Sequence, residues 1–149
     1  MNSYSKEVGD KLNALLEKNY DAEKGYKKAA ENTENVALKN HFNRKAAERY
    51  DFGHQLKSEI KNFGQEPDKG GSVTGSVHRA WMDVKAVFSA DNEESMLEEA
   101  IRGEKASVEE YNDVLNETNL PASTRDIVLK QKNTISQELN TIKRLEDLS

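Results

Sequence analysis

The chain has 149 residues, with 22 Lys and Arg against 27 Asp and Glu and a net charge of −5 at pH 7, a length that suits one domain able to bury about two thirds of its unfolded surface. Cysteine is absent, which excludes thiol nucleophiles, disulfides, iron–sulfur clusters and Cys-ligated zinc. Lys and Arg alternate with Glu and Asp instead of clustering, which argues against a nucleic-acid partner.

Met1 to Lys11 is polar, and no stretch approaches the ~20 apolar residues that span a bilayer, so the expectation is a cytoplasmic protein without membrane association. The first apolar stripe runs Val8, Leu12, Leu15, Asn19, Glu23, Tyr26, Ala30 in steps of three and four, which predicts a helix over about 5–31. The polar turn Asn32-Thr33-Glu34-Asn35 supplies caps for a second helix, about 35–63, with its stripe on Leu38, Phe42, Ala46, Arg49, Phe52, Leu56, Ile60 and Phe63. Gly64 ends it, and Pro67 with Gly70-Gly71 marks a loop. Val73, Val77, Ala80, Trp81, Val84, Val87 and Phe88 predict a shorter linker helix over about 73–88. Asp91 and Glu94 form a capping box for a third long helix, about 92–117, whose stripe is Leu97, Ile101, Glu104, Val108, Tyr111 and Leu115. Pro121 opens a fourth, about 121–147, on Val128, Gln131, Ile135, Glu138, Leu139, Ile142 and Leu145. Two short turns and one long connection predict an all-α bundle of two antiparallel hairpins in up-down-down-up order, within one domain over 1–149.

Polar residues interrupt the apolar stripes at similar depth: Asn19 and Glu23, Arg49, Glu104, then Gln131 and Glu138. Buried ionisable groups are costly unless paired or metal-bound, so their convergence at mid-bundle marks the candidate site, together with Tyr26. Arg49 either pairs internally with Glu104 and with Glu23 or Glu138, or snorkels with its guanidinium in water. Tyr26 and Tyr111 read as core fillers with a hydroxyl partner. His41, beside Arg44 and Lys45, reads as an exposed cap region. Trp81 anchors the linker helix, flanked by His78. No phosphate loop or nucleophile elbow is present, so no catalytic residue is assigned.

The segment Leu97-Glu98-Glu99-Ala100-Ile101-Arg102-Gly103-Glu104-Lys105 resembles the third helix of ferritins, with Glu104 at the metal-carboxylate position. That resemblance puts Asn19 where ferritins have a carboxylate and Tyr26 at the nearby tyrosine. Arg49 and Phe52 then fall on the Glu-x-x-His motif, a cation and a phenyl ring replacing two ligands. The whole chain is more similar to a bacterial family of ferritin-like four-helix-bundle proteins, a domain of unknown function. Gly25-Tyr26-Lys27-Lys28-Ala29-Ala30, His78-Arg79-Ala80-Trp81-Met82 and Leu97 to Glu104 carry that similarity. It implies the ferritin-like fold, with a short helix in the crossover, and a link to stress-associated proteins.

The resulting expectation is a non-catalytic structural or interaction protein whose di-iron site has degenerated into an Arg–carboxylate cluster, with no cofactor. Homo-oligomerisation is left open and no protein partner is named. The competing expectation is an iron- or manganese-binding protein, an iron handler or di-metal oxidase, using Glu23, Glu104 and Glu138 with Asp51 or His54. A third is a groove between linker helix and bundle that takes a hydrophobic ligand or a partner helix.

Overall fold

A computed structural model describes residues 2–68, 93–117, 119–144 and 147. The described residues form four helices and no strand: α1 (Asn2–Glu31), α2 (Val36–Asn62), α3 (Glu93–Glu117) and α4 (Ala122–Thr141). None is long and apolar enough to cross a membrane. The linker-helix stripe with Trp81 and His78, and the capping residue Asp91, lie outside the described residues.

Local chemistry sets the helix ends. Asn35 caps α2, its side chain accepting from the Leu38 amide at 3.0 Å, while the hydroxyl of buried Thr33 accepts from the Asn35 amide at 3.2 Å. At the other end Gly64 takes φ +73. The Gln65 amide then returns to the Ile60 carbonyl at 3.2 Å and the Gly64 amide to that of Lys61 at 2.9 Å, the paired bonds of a Schellman stop, for which a residue without Cβ is suited. Pro121 sits just ahead of α4 at its N-cap, its carbonyl accepting from the Arg125 amide at 2.8 Å.

The fourth helix is shorter than its periodicity predicts. It ends at Thr141, with Ile142 extended. Beyond it the amides of Lys143 and Arg144 are taken by the Asp147 carboxylate at 2.9 and 3.0 Å. That side-chain capture competes with continued helical bonding, and apolar spacing alone does not reveal it.

The core lies along the inward stripes, with Val8, Leu12 and Leu16 of α1, Leu38, Leu56 and Ile60 of α2, Leu97 of α3, and Val128 and Ile135 of α4 all at 0% exposure. Each such side chain contributes about 1.5–3 kcal/mol by leaving water. Contacts fix the helix directions. Tyr4 meets Phe63 and Tyr26 meets Phe42, with ring centroids 6.4 and 5.8 Å apart, so α1 and α2 run oppositely. Asn19 meets Tyr111 and Tyr26 meets Glu104, so α3 also opposes α1. Tyr111 bonds Gln131 and Arg125 bonds the Leu115 carbonyl, so α4 opposes α3.

After α2 the chain turns back along α1. Gln65 packs on Gly9, where an added Cβ would stand 2.9 Å from the Gln65 Cβ. Asn13 then donates to the Glu66 carbonyl at 3.0 Å and accepts from the Asp68 amide at 2.8 Å, and the Tyr20 hydroxyl donates to the Asp68 carbonyl at 3.3 Å. Gly9 therefore makes room for the Gln65 side chain where the chain's return toward the other end of α1 begins.

Candidate functional site

Helical spacing builds a polar cluster inside the apolar core. Asn19 and Tyr26 are seven apart on α1, Lys45 and Arg49 four apart on α2, and Glu104, Ser107 and Tyr111 follow in steps of three and four on α3, so each set shares one inward face. The Arg49 guanidinium is at the centre with 1% of its surface exposed. It donates to Asn19 Oδ1 at 2.9 Å, to Glu104 Oε1 at 2.8 Å and to Ser107 Oγ at 3.0 Å. The Ser107 hydroxyl in turn donates to the Gly103 carbonyl at 3.1 Å. The Tyr26 hydroxyl donates to the same Glu104 oxygen. Glu104 Oε2 has no hydrogen-bond partner and faces Lys45 Nζ as an ion pair at 3.3 Å.

From Asn19 the bonding continues across the bundle. Its amide donates to the Leu15 carbonyl at 2.9 Å and to the Tyr111 oxygen at 3.0 Å. Tyr111 donates to Gln131 Oε1 at 2.6 Å, and Gln131 donates to the Phe52 carbonyl at 3.2 Å and to Gln55 at 2.8 Å. All four helices are thus stitched through one network, and a buried network of this kind favours one packing register when its members are satisfied.

The electrostatics follow from burial and pairing. Burial alone would raise the Glu104 carboxyl, but Arg49, Lys45 and the bonds from Tyr26 and Arg49 outweigh it and hold it at about 2. Burial likewise disfavours charge on Arg49, yet Glu104 keeps its pKa above the usual value, so it stays cationic. Burial, with the neighbouring Glu104 charge, raises Tyr26 well above its ordinary value, and burial pushes Tyr111 up to about 12. Both phenols are neutral donors.

Lys45 is 3% exposed and binds Glu48 at 2.9 Å and Glu138 as well as Glu104. Burial works against its charge, and Glu104 and Glu48 more than restore it. Burial raises Glu48 against the opposing pull of Lys45. His41, 7% exposed, is pushed down to about 4 by burial and by Lys45 and Arg44, so it is neutral at pH 7. Tyr26, His41, Lys45, Glu104 and Glu138 line a cleft walled by Leu97, Ile101 and Ile135, with a volume of about 20 Å³, room for one water.

Of the residues singled out from sequence, Asn19, Tyr26, Arg49, Glu104 and Gln131 come together. Glu138 joins only through Lys45 at the half-exposed edge. Glu23 does not reach Arg49; it pairs with Lys27 one turn along its own helix at 2.8 Å. Asp51 is exposed, and exposed His54 shares a 3.0 Å bond with the Tyr50 hydroxyl. His41 and Lys45, expected at an exposed cap, are buried instead, because Lys45 lies one turn from Arg49 on the inward face. Lys45, Ser107 and the part of Tyr111 in the network were missed; for Lys45 and Tyr111 the four- and seven-residue spacings from Arg49 and Glu104 carry the signal.

The donor set does not fit a metal centre. Glu104 is already neutralised by two cations and a phenol, the carboxylates of Glu48 and Glu138 beside it are taken up by the Lys45 ammonium, and among the described residues no group of three or more His, Asp or Glu is arranged to hold an ion. A family model described as a domain of unknown function, DUF2383, matches residues 7–117. The match spans α1 to α3, and so Asn19, Tyr26, Arg49, Glu104 and Tyr111, while Gln131 and Glu138 lie beyond it. No curated protein matches the chain.

Proposed function

The chain belongs to the DUF2383 family, and on that footing we propose that it is a non-catalytic, single-domain ferritin-like helical bundle, a structural or interaction protein in which a guanidinium stands in for metal ions. The observation that carries this reading is the 1%-exposed Arg49 bonded to Asn19, Glu104 and Ser107 on neighbouring helices. Two cations, Arg49 and Lys45, are already fixed on Glu104, so a metal ion would meet their repulsion and find the carboxylate that would ligate it already spent on them.

The helix contacts support up-down-down-up order, since α1 opposes both α2 and α3, and α4 opposes α3. The return of residues 65–68 along α1 supports a crossover between α2 and α3; a short helix within that crossover belongs to the same proposal, as do a bacterial, cytoplasmic, stress-associated setting and the absence of a nucleic-acid partner.

The test is elemental analysis of the protein purified after growth with added iron and manganese. Sub-stoichiometric metal is the expected result, and two tightly held ions per chain would overturn the reading in favour of an iron- or manganese-binding protein.

A further inference from the structure

The outer face of α3 carries a charge pattern that the core cluster does not use. Glu98, Ile101 and Lys105 follow in steps of three and four and share one face. Glu98 and Lys105 are exposed and Ile101 is half-buried. Nearby, Glu99 is matched along the same helix by Arg102 at 3.0 Å. Among the described residues, neither Glu98 nor Lys105 has an opposite charge paired with it. Beside them a groove of about 490 Å³ between α3 and α4, lined by Ile101, Lys105, Leu139, Asn140 and Lys143, has space for several side chains.

We propose that this face pairs with a second copy of the chain, the two α3 helices crossing antiparallel about a two-fold axis at Ile101, with Glu98 of each copy against Lys105 of the other. The charge order selects this arrangement. In a parallel pair Glu98 would oppose Glu98 and Lys105 would oppose Lys105, whereas reversal about the midpoint of the seven-residue span opposes each to its complement. Two equivalent pairs then form, as an isologous contact requires. The span is about 10.5 Å along the helix, within the turn or two over which crossed helices stay in contact. Ile101, Leu139 and Ile142, which pack only partly against the core, supply the apolar centre, and Lys143 adds a cation on the groove side.

This inference rests on the reading of the bundle as an interaction protein and names its partner; the metal analysis tests that reading separately. Sedimentation velocity from about 1 µM to about 100 µM tests the pairing. The expected result is a concentration-dependent monomer–dimer equilibrium. Glu98→Lys and Lys105→Glu each weaken it about tenfold or more by creating like-charge contacts, and the double variant Glu98→Lys/Lys105→Glu recovers to near the wild-type Kd. Circular dichroism melts of all three variants stay close to wild type at monomeric concentrations, since both side chains are exposed. A wild type that remains monomeric throughout overturns the pairing, as do single variants with unchanged Kd or a double variant no tighter than the singles.

Discussion

Replacing Arg49 by Met removes the centre of the cluster while keeping a side chain of similar length. Three donated hydrogen bonds disappear, to Asn19, Glu104 and Ser107, and Glu104 is left in the core with the Tyr26 hydroxyl and the Lys45 ion pair. Breaking one partner of a buried pair costs about 3–5 kcal/mol. Lys45 and Tyr26 remain to hold part of the carboxylate charge, so the lower end, about 3 kcal/mol, is expected. Urea unfolding at pH 7, followed by helical circular dichroism, should show a midpoint lowered by about 1–2 M at unchanged slope. The double variant Arg49→Met/Glu104→Leu removes both charges and should recover much of the loss, because an apolar replacement for a whole buried pair is often neutral or stabilising. If Arg49→Met unfolds within about 0.5 kcal/mol of wild type, or if the double variant is worse than the sum of the singles, the claim that the pair holds the core together is wrong.

Acidification should expose the neutral His41. Its folded pKa of about 4 lies below the unfolded value near 6.5, so the unfolded chain binds the proton first; stability is full above pH ~6.5 and declines by up to about 3 kcal/mol as pH falls toward 4. Urea midpoints measured between pH 7 and 4.5 should fall, and His41→Gln should flatten that decline; an equally steep decline in the variant would refute the assignment. Gly9→Ala drives a Cβ into Gln65, and the displaced segment should cost about 1–3 kcal/mol and raise amide exchange at residues 65–68; an unchanged exchange pattern would contradict that close approach. Asn35→Ala removes the α2 cap and should cost about 1 kcal/mol by urea unfolding, an effect absent if the turn caps itself.

Much of the architecture was legible because four apolar stripes repeat at helical period between a capped turn, a Gly-Pro loop and Pro121. The end of α4 was not, since Ile142 and Leu145 keep the period while Asp147 captures the amides that a longer helix would need. At the site, Arg49 and Glu104 were legible as charges on apolar stripes. Glu23 shows the limit of that logic: it shares the spacing of Asn19 and Tyr26, but Lys27 one turn away draws it to the edge. Lys45 shows the converse. Its neighbours Arg44 and His41 suggested a solvated end of the helix, yet the turn it shares with Arg49 carries it inward to three carboxylates. Side-chain pairing across helices decides both cases, and a single helix's spacing does not contain it.

If Arg49 and not a metal ion keeps Glu104 ionised in the core, carbon NMR of the selectively labelled Glu104 carboxyl will show it. Titrated without metal, the wild-type carboxyl should stay ionised through the ordinary carboxylate range, with a midpoint at about 2, and Arg49→Met should move that midpoint upward. A wild-type midpoint in the ordinary range, unmoved by Arg49→Met, would contradict that role of Arg49.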